Sequence, residues 1–544
     1  MRAVRSWGSA TRSDPGAARR ARRRAGGRAR GLAIPTALAA LLAAGCGRAP
    51  VWSSGPPAPS APAPATPPAA TTYTPTAAEA AFLDTLGRRT FDWFWETTNP
   101  RTGLTPDRWP TRSFSSIAAT GFALTAYPIG VERGWITRAQ ARERTLTTLR
   151  FLWRLPQGPA PTGVAGHRGF FYHFLDMETG LRFEQVELST IDTALLLAGA
   201  LACREYFDGS DPGDVEIRAL ADSLNHRVDW DWARAGRPLV SMGWHPERRA
   251  TNQDANGFIL SDWRGYMEAM LLYALALGSP THPVPAGTWE TWTRTYRWDR
   301  FHGQEFVQFA PLFGHQYSHV WIDFRGIQDA YMRGRGGAAA AGGGAAMDYH
   351  ENSRRATLSQ QAYAVANPGG WRDYSAEVWG LTASDGPLDA TLPVDGRART
   401  FFSYRARGAG ADEIVDDGTI VPTAAGGSIA FAPEIVVPSL LAMRRRYGDD
   451  LFGRYGFVDA FNPTLREPLP APGPKLQHGR IVAGKGWFDT DYLGIDQGPI
   501  LAMLENQRSE LVWRLLRRNA DVVRGLCRAG FGGGWLEGRC ATTR

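Results

Sequence analysis

Apolar residues return at helical spacing in ten stretches of this chain: 79–96, 115–127, 138–154, 190–207, 214–226, 262–277, 325–332, 353–366, 428–446 and 498–517. Each carries the one-sided stripe or continuous apolar run of a helix with a buried face. Strand-type alternation is scarce over the same span. Roughly a dozen helices in one uninterrupted body predict helical hairpins arranged in a ring, an all-α (α/α)6 barrel. An α-solenoid would show a fixed repeat, and none is visible. The connections are long and rich in Gly, Pro and Trp, as functional loops are. One of them, GGAAAAGGGAA (336–346), is of low complexity and reads as a flexible insertion.

The polar positions gather where helices begin. They do so in SFSSIAATG (113–121), VELSTIDTALLL (186–197), FILSDWRGYMEA (258–269), WGLTASDGP (379–387) and GIDQGPI (494–500). Helix starts offer free N–H groups and partial positive charge. In the second block, Ser189 and Asp192 have the form of a capping box, with Glu187 in the loop just before. In the third, Ser261 is the expected cap, Asp262 falls in the first turn and Glu268 in the second. An apolar run follows Glu268, so its carboxyl is expected to be hard to ionise. Further cleft acids are Asp323, Glu377, Asp385, Glu434 and Asp496, with Asp417 and Asp459 as other loop acids. Trp95, Trp263, Tyr266, Trp321 and Trp379 are candidates to stack on sugar rings. Arg264, His319 and Arg325 are candidates to bind hydroxyls or tune the acids. Caps, ion pairs and turns are the plain structural alternatives for each of these positions.

Composition changes the picture in two places. The 20 Trp among 544 residues exceed what packing alone suggests, which fits a carbohydrate cleft. The net charge of +8 belongs to the leader: residues 1–45 hold ten Arg and one Asp, leaving the remainder close to neutral. No nucleic-acid footprint is present in the body. The leader itself, an Arg-rich stretch before the apolar run 32–44, reads as an export signal ending in a lipobox-like AAGC at Cys46. This predicts residues 1–45 as signal peptide, 46–75 as a Pro/Ala-rich tether, 76–525 as the catalytic body and 526–544 as a C-terminal tail. Cys46 is then the lipidated residue, and the protein an exported monomer in the periplasm or at the cell surface. Its only membrane contact would be the anchor. In such an oxidising place Cys527 and Cys540 are the natural disulfide pair, and Cys203 a buried thiol. No Cys, His or acid spacing suggests a metal, and no cofactor is expected.

Ten blocks in order carry a family resemblance. They include FDWFWE (91–96), SIAATGFAL (116–124), ELSTIDTALLLAG (187–199), EAMLLYALALGSPTHP (268–283), HVWIDFRG (319–326), WGLTASDGP (379–387) and IDQGPI (495–500). The chain resembles the bacterial glucoamylase-like family, which includes the endo-β-1,2-glucanases of glycoside hydrolase family 144. The resemblance implies an (α/α)6 fold and inverting, cofactor-free cleavage of β-1,2-glucan by two carboxylates. It places family acids in the blocks of Glu187, Asp192 and Glu268. Glu268 is then the expected general acid, and Glu187 or Asp192 the base. The competing readings are a glycan-binding surface lipoprotein without catalysis, and a hydrolase of another glycan such as an α-glucan.

Overall fold

The chain builds its body from helices. They are α1 (Ala77–Thr97), α2 (Ile117–Glu132), α3 (Arg138–Arg154), α4 (Thr190–Tyr206), α5 (Pro212–His226), α6 (Ala269–Gly278), α7 (Thr288–Thr293) and α8 (Phe313–Trp321). They continue as α9 (Ala330–Ala340), α10 (Tyr349–Ala366), α11 (Pro422–Gly426), α12 (Pro433–Tyr447), α13 (Gly494–Ser509), α14 (Leu511–Leu516) and α15 (Ala520–Arg528). This is a computed structural model, and it describes residues 73–248, 252–340 and 347–542. The expected signal peptide, Cys46 and nearly all of the expected tether lie outside the described residues.

Two kinds of helix divide the work. Helices α2, α4, α6, α8 and α13 are buried over most of their length. They neighbour one another in a closed circuit, α2 to α4 to α6 to α8 to α13 and back to α2. Helices α1, α3 and α5 bury one stripe each and pack outside that circuit. The starts of α1 and α3 are closed by capping boxes, Thr76 with Glu79 and Thr137 with Gln140.

The α2–α4 contact is backbone to backbone. A Cβ on Gly199 would lie 2.0 Å from the Gly121 carbonyl oxygen, and one on Gly121 would lie 2.4 Å from that of Leu195. Both contacts are to main chain and cannot be relieved by turning a side chain. Gly199→Val is therefore expected to destabilise the protein by about 3 kcal/mol or more, read as a lower urea midpoint.

Sequence and structure differ at four places. The helix expected over 262–277 starts only at Ala269, because Gly265 adopts a φ of +76° and breaks the helical path. The Gly/Ala stretch is not all loop: α9 runs through Ala340, consistent with the helix propensity of Ala, and 341–346 lie outside the described residues. Helices α7, α8, α11 and α15 have no counterpart among the expected segments. Finally, the connections contain many short strands, so the body is built on helices without being all-α. A four-stranded sheet joins 166–167, 170–172, 188–189 and 243–244, and a three-stranded one joins 461–462, 480–482 and 486–488. A hairpin pairs Ala390–Val394 with Arg397–Phe401 through the turn Asp395–Gly396, both at positive φ (52° and 72°). Long buried connections must pair their backbone groups, and short strands do that.

The tail packs onto the body. Cys527 of α15 is joined to Cys540, Leu536 is buried, and the Trp535 indole N–H donates to the Asp323 carbonyl at 2.7 Å. Closing a loop of 13 residues removes unfolded-chain entropy worth about 2–3 kcal/mol. Cys527→Ser is expected to lower the unfolding free energy by that amount under oxidising conditions, read from denaturant melts, and to change nothing when both proteins are reduced. Among the described residues, no helix is long and apolar enough to cross a membrane.

Candidate active site

The buried helix starts deliver carboxylates to one continuous patch. On one flank, Leu188–Ser189 pairs with Phe171–Tyr172 and Gly243–Trp244, and this sheet fixes the approach to α4. Ser189 caps α4: its Oγ accepts from the Asp192 N–H and donates to Asp192 Oδ2. His173 lies over both acids of this block, with Nδ1 2.8 Å from Glu187 Oε1 and Nε2 3.6 Å from Asp192 Oδ1. Burial opposes its cation, but Asp192 and Glu187 outweigh that and raise its pKa to about 9. His173 in turn holds Glu187 below the usual carboxylate range despite burial.

Glu268 stands at the start of α6. The Ser318 hydroxyl of α8 donates to the Glu268 carbonyl at 2.6 Å and accepts from the Leu271 N–H at 2.9 Å, so α8 clamps the first turn of α6. The Glu268 carboxyl is 7% exposed with no cation beside it, and its Oε2 has no partner. Burial, with Asp192 adding its charge, pushes its pKa up to about 8.

Tyr317 of α8 links this flank to the next. Its hydroxyl donates to Asp496 Oδ1 at 3.3 Å, and it also feels the charge of Glu268. Asp496, in the first turn of α13, hydrogen-bonds Asp459. The Asp385 N–H donates to Asp459 Oδ2 at 2.8 Å. Burial, with the charges of Asp385 and other neighbouring acids, raises the affinity of Asp459 and Asp496 for protons, so the hydrogen-bonded pair holds a proton near neutrality. Arg108 closes the patch: it donates to Asp385 Oδ2 at 2.5 Å and Asp107 Oδ2 at 3.2 Å, and lies 3.9 Å from Asp491. Its strand 108–109 pairs with 492–493, the strand that leads into α13.

Beneath the patch lies a second buried cation. Arg407 forms a two-pronged pair with Asp417, at 2.8 Å for each contact, with neither side chain exposed. Its third nitrogen donates to the carbonyls of Ser384 and Asp385, and one of the two that meet Asp417 also donates to those of Phe402 and Ser403. Arg407 thereby fixes both the Asp385 turn and the segment carrying Tyr404.

The expected site residues separate into two groups. Glu187, Asp192, Glu268, Asp385 and Asp496 come together in the patch. Trp263, Tyr266, Trp321 and Trp379 are corrected: each is at most 3% exposed and belongs to the core. Their polar atoms are satisfied there, Trp263 by Thr190, Trp321 by Thr125 and Trp379 by Ser439, and Tyr266 lies within reach of Ser353. His319 is likewise buried, against Ser353, and burial holds it neutral. Trp95 packs on Phe91 and under Arg144 near the Tyr127 end of α2, away from the helix start. Asp323 and Arg325 follow the C-terminal end of α8, where Asp323 pairs with Arg325 and Arg517 and Arg325 stacks on Trp513. Arg264 is exposed and reaches only Asp262, Glu377 is exposed in its loop, and Glu434 pairs with Arg354.

The patch also holds residues that the sequence reading does not single out: Asp107, Arg108, His173, Tyr317, Tyr404, Asp489 and Asp491. Asp489 and Asp491 are the findable ones, since DTDYLGIDQGP places three acids just ahead of and within the first turn of a helix. Aromatic rings lie near it too. Phe114 packs on Phe174 and Phe183, His173 stacks on Phe174, and Trp109 is 37% exposed beside Arg108. Two groups have spacing that a cation could use, Asp385 with His478 and Asp491, and Asp385 with Asp459 and Asp489, each with ligand atoms within 4.8 Å of one another. Arg108 supplies positive charge to Asp385 and Asp491.

Comparison with known proteins gives the class. Residues 261–520 match the Glycoamylase family, described as "Putative glucoamylase". An exo beta-1,2-glucooligosaccharide sophorohydrolase (non-reducing end) from Parabacteroides distasonis is 26% identical over 488 residues, covering 84% of this chain and 58% of that protein. The chain thus spans little more than half of that relative. A crystal structure from Bacteroides uniformis, described in the same words as the family, superposes with a TM-score of 0.68 at 28% identity, covering 85% of this chain and all of that one. An endo-beta-1,2-glucanase from Chitinophaga pinensis, in complex with sophorotriose and glucose, gives 0.68 at 25% identity, covering 84% and 99%. The class that the chain resembles is glycoside hydrolase. Within it, the chain resembles the glucoamylase-like family, as its ordered sequence blocks indicate.

Proposed function

We propose that this protein is an exported hydrolase that cleaves β-1,2-linked glucan across the helix starts of an (α/α)6 barrel, with inversion at the anomeric carbon. The relatives that act on β-1,2-glucans support the linkage, and the leader ending at Cys46 supports export with a lipid anchor. The substrate is a poly- or oligosaccharide, and the protein works as a monomer.

One observation carries the chemistry. Glu268 is a buried carboxyl with a free oxygen and a pKa near 8, and Tyr317, which hydrogen-bonds the second acid Asp496, also feels its charge. A carboxyl that keeps its proton at neutral pH can give it to a leaving glycosidic oxygen, so Glu268 is the general acid. On the sequence reading, the base that activates water is Glu187 or Asp192. Both are engaged by His173, and Asp192 also by Ser189. What favours the Asp459–Asp496 pair instead is its shared proton, which leaves one negative charge, together with the free Oδ1 of Asp459. An inverting site needs about 6.5–9.5 Å between the two carboxyls, to admit the attacking water.

The pH dependence follows from these assignments. Glu268 must be protonated, so kcat/KM is expected to fall as pH rises through about 8. The Asp pair must keep one charge, so the rate also falls on the acid side as the pair takes up its second proton. A profile rising steadily above pH 8 contradicts Glu268 as the acid. The substrate is tested by incubating the protein with linear and cyclic β-1,2-glucan, starch, β-1,3-glucan and cellulose, with products read by chromatography. Products from β-1,2-glucan alone are expected. Products from starch alone would move the linkage, and binding without any product would leave a glycan-binding protein.

A further inference from the structure

The hairpin Ala390–Val394/Arg397–Phe401 lines an open pocket of about 340 Å³. Gly369, Trp371, Arg397, Arg399, Thr400 and Phe402 line it. Phe402 connects the pocket to the acidic patch. Its N–H is held by Asp417, and two residues on, Tyr404 faces Asp496, Asp459 and Asp385.

Two guanidinium groups meet in this cavity without a carboxylate of their own. Arg399 is only 7% exposed. It lies 4.2 Å over the Trp371 ring, and its terminal nitrogens donate to the carbonyls of Gly369 at 3.1 Å and Gly370 at 2.7 Å. Its Nε has no partner. Arg397 reaches over the same turn, with NH1 3.2 Å from where a Cβ on Gly370 would stand. Among the described residues it has no ion pair. The acid that lines this cavity, Asp416, is already engaged: it accepts from the hydroxyls of Tyr363 and Tyr374 and from the Gly418 N–H. Neighbouring arginines show the contrast, since Arg372 pairs with Asp395 and Arg407 with Asp417. The buried Arg399 Nε is a donor left open, which is costly unless an acceptor completes it, and the exposed, unpaired Arg397 beside it favours an anion. The rings of Trp371 and Phe402 provide apolar walls, which a small inorganic ion would not use but a sugar ring would.

We infer that this cavity binds a glucan unit carrying an anionic substituent, a carboxylate or a phosphate ester, at the Arg397–Arg399 pair while the chain runs on toward the acidic patch. The inference rests on the glucan reading above and adds a charge preference to it. Arg397 and Arg399 supply charge-assisted hydrogen bonds, and Trp371 and Phe402 take the ring.

The test is titration calorimetry on the full chain carrying Glu268→Gln, which slows turnover. The probes are unsubstituted β-1,2-glucan oligomers, the same oligomers succinylated, and free succinate. Succinylated oligomers are expected to bind about tenfold tighter than unsubstituted ones at low salt. That ratio is expected to fall to near unity with Arg397→Ala added, to recover in part with Arg397→Lys, and to shrink as salt is raised. Equal affinities in the parent, or a ratio unchanged in Arg397→Ala, overturn the charge preference while leaving the glucan reading intact. Binding of free succinate with no binding of either glucan overturns both, and leaves a plain anion site.

Discussion

Replacing Glu268 by Gln is expected to lower kcat on β-1,2-glucan by about a thousandfold, with little change in KM. The amide fills the same volume at the start of α6 and keeps the Ser318 clamp, which uses the main chain. What it removes is the transferable proton. Glu268 is suited to that role because burial, with no cation beside it, holds its carboxyl neutral to about pH 8. The variant should therefore fold, bind oligosaccharide and fail to cleave it. A fall in affinity with kcat preserved would make Glu268 a binding residue and pass the acid role to the Asp459–Asp496 pair.

Arg407→Met has the largest expected effect on stability. The guanidinium is wholly buried, meets Asp417 with two hydrogen bonds and ties down four carbonyls. Removing one partner of a buried pair leaves the other charged and unsolvated, which costs about 3–5 kcal/mol. The loss should appear as a lower denaturant midpoint. It should also reach catalysis, because the Asp385 turn and the Tyr404 segment both hang from this side chain. Asp417→Asn alone should cost less, since Arg407 keeps its carbonyl acceptors. The double variant Arg407→Met/Asp417→Leu should recover part of the stability, because it removes both buried charges together.

Much of the helical body is legible in the chain because burial imposes a period. Helix α3 begins and ends where its apolar spacing says, at Arg138 and Arg154, and α4 starts at Thr190 as the Ser189–Asp192 cap requires. Where the period is overridden, the reading fails for a local reason. Gly265 turns the chain with a positive φ, so Asp262, Trp263 and Tyr266 lie in an irregular loop ahead of α6. The hairpin over 390–401 is written in its Asp-Gly turn and alternating residues, but the pattern is short beside the helical runs around it.

The acids of the patch were more legible than its rings. Acids at helix starts are tied to a backbone feature that sequence reveals, and Glu187, Asp192, Glu268 and Asp496 meet for that reason. Aromatic residues carry no such mark. Trp263, Tyr266, Trp321 and Trp379 are the large side chains that fill the core between helices, whereas Trp109 stands exposed beside Arg108. Arg108 escapes the sequence reading because it acts through a partner distant in the chain, Asp385, 277 residues away, and His173 because it lies between two short loop strands rather than at a helix start.

The central claim is direct hydrolysis of a β-1,2 bond with Glu268 as acid and a separate carboxylate activating water. It is tested most directly by following proton NMR of linear β-1,2-glucan in the first minutes after adding the protein. New reducing ends that appear first as the α-anomer, and do not appear with Glu268→Gln, are the predicted result. New β-anomeric ends, or no new ends from a protein that is folded and binds the glucan, would contradict it.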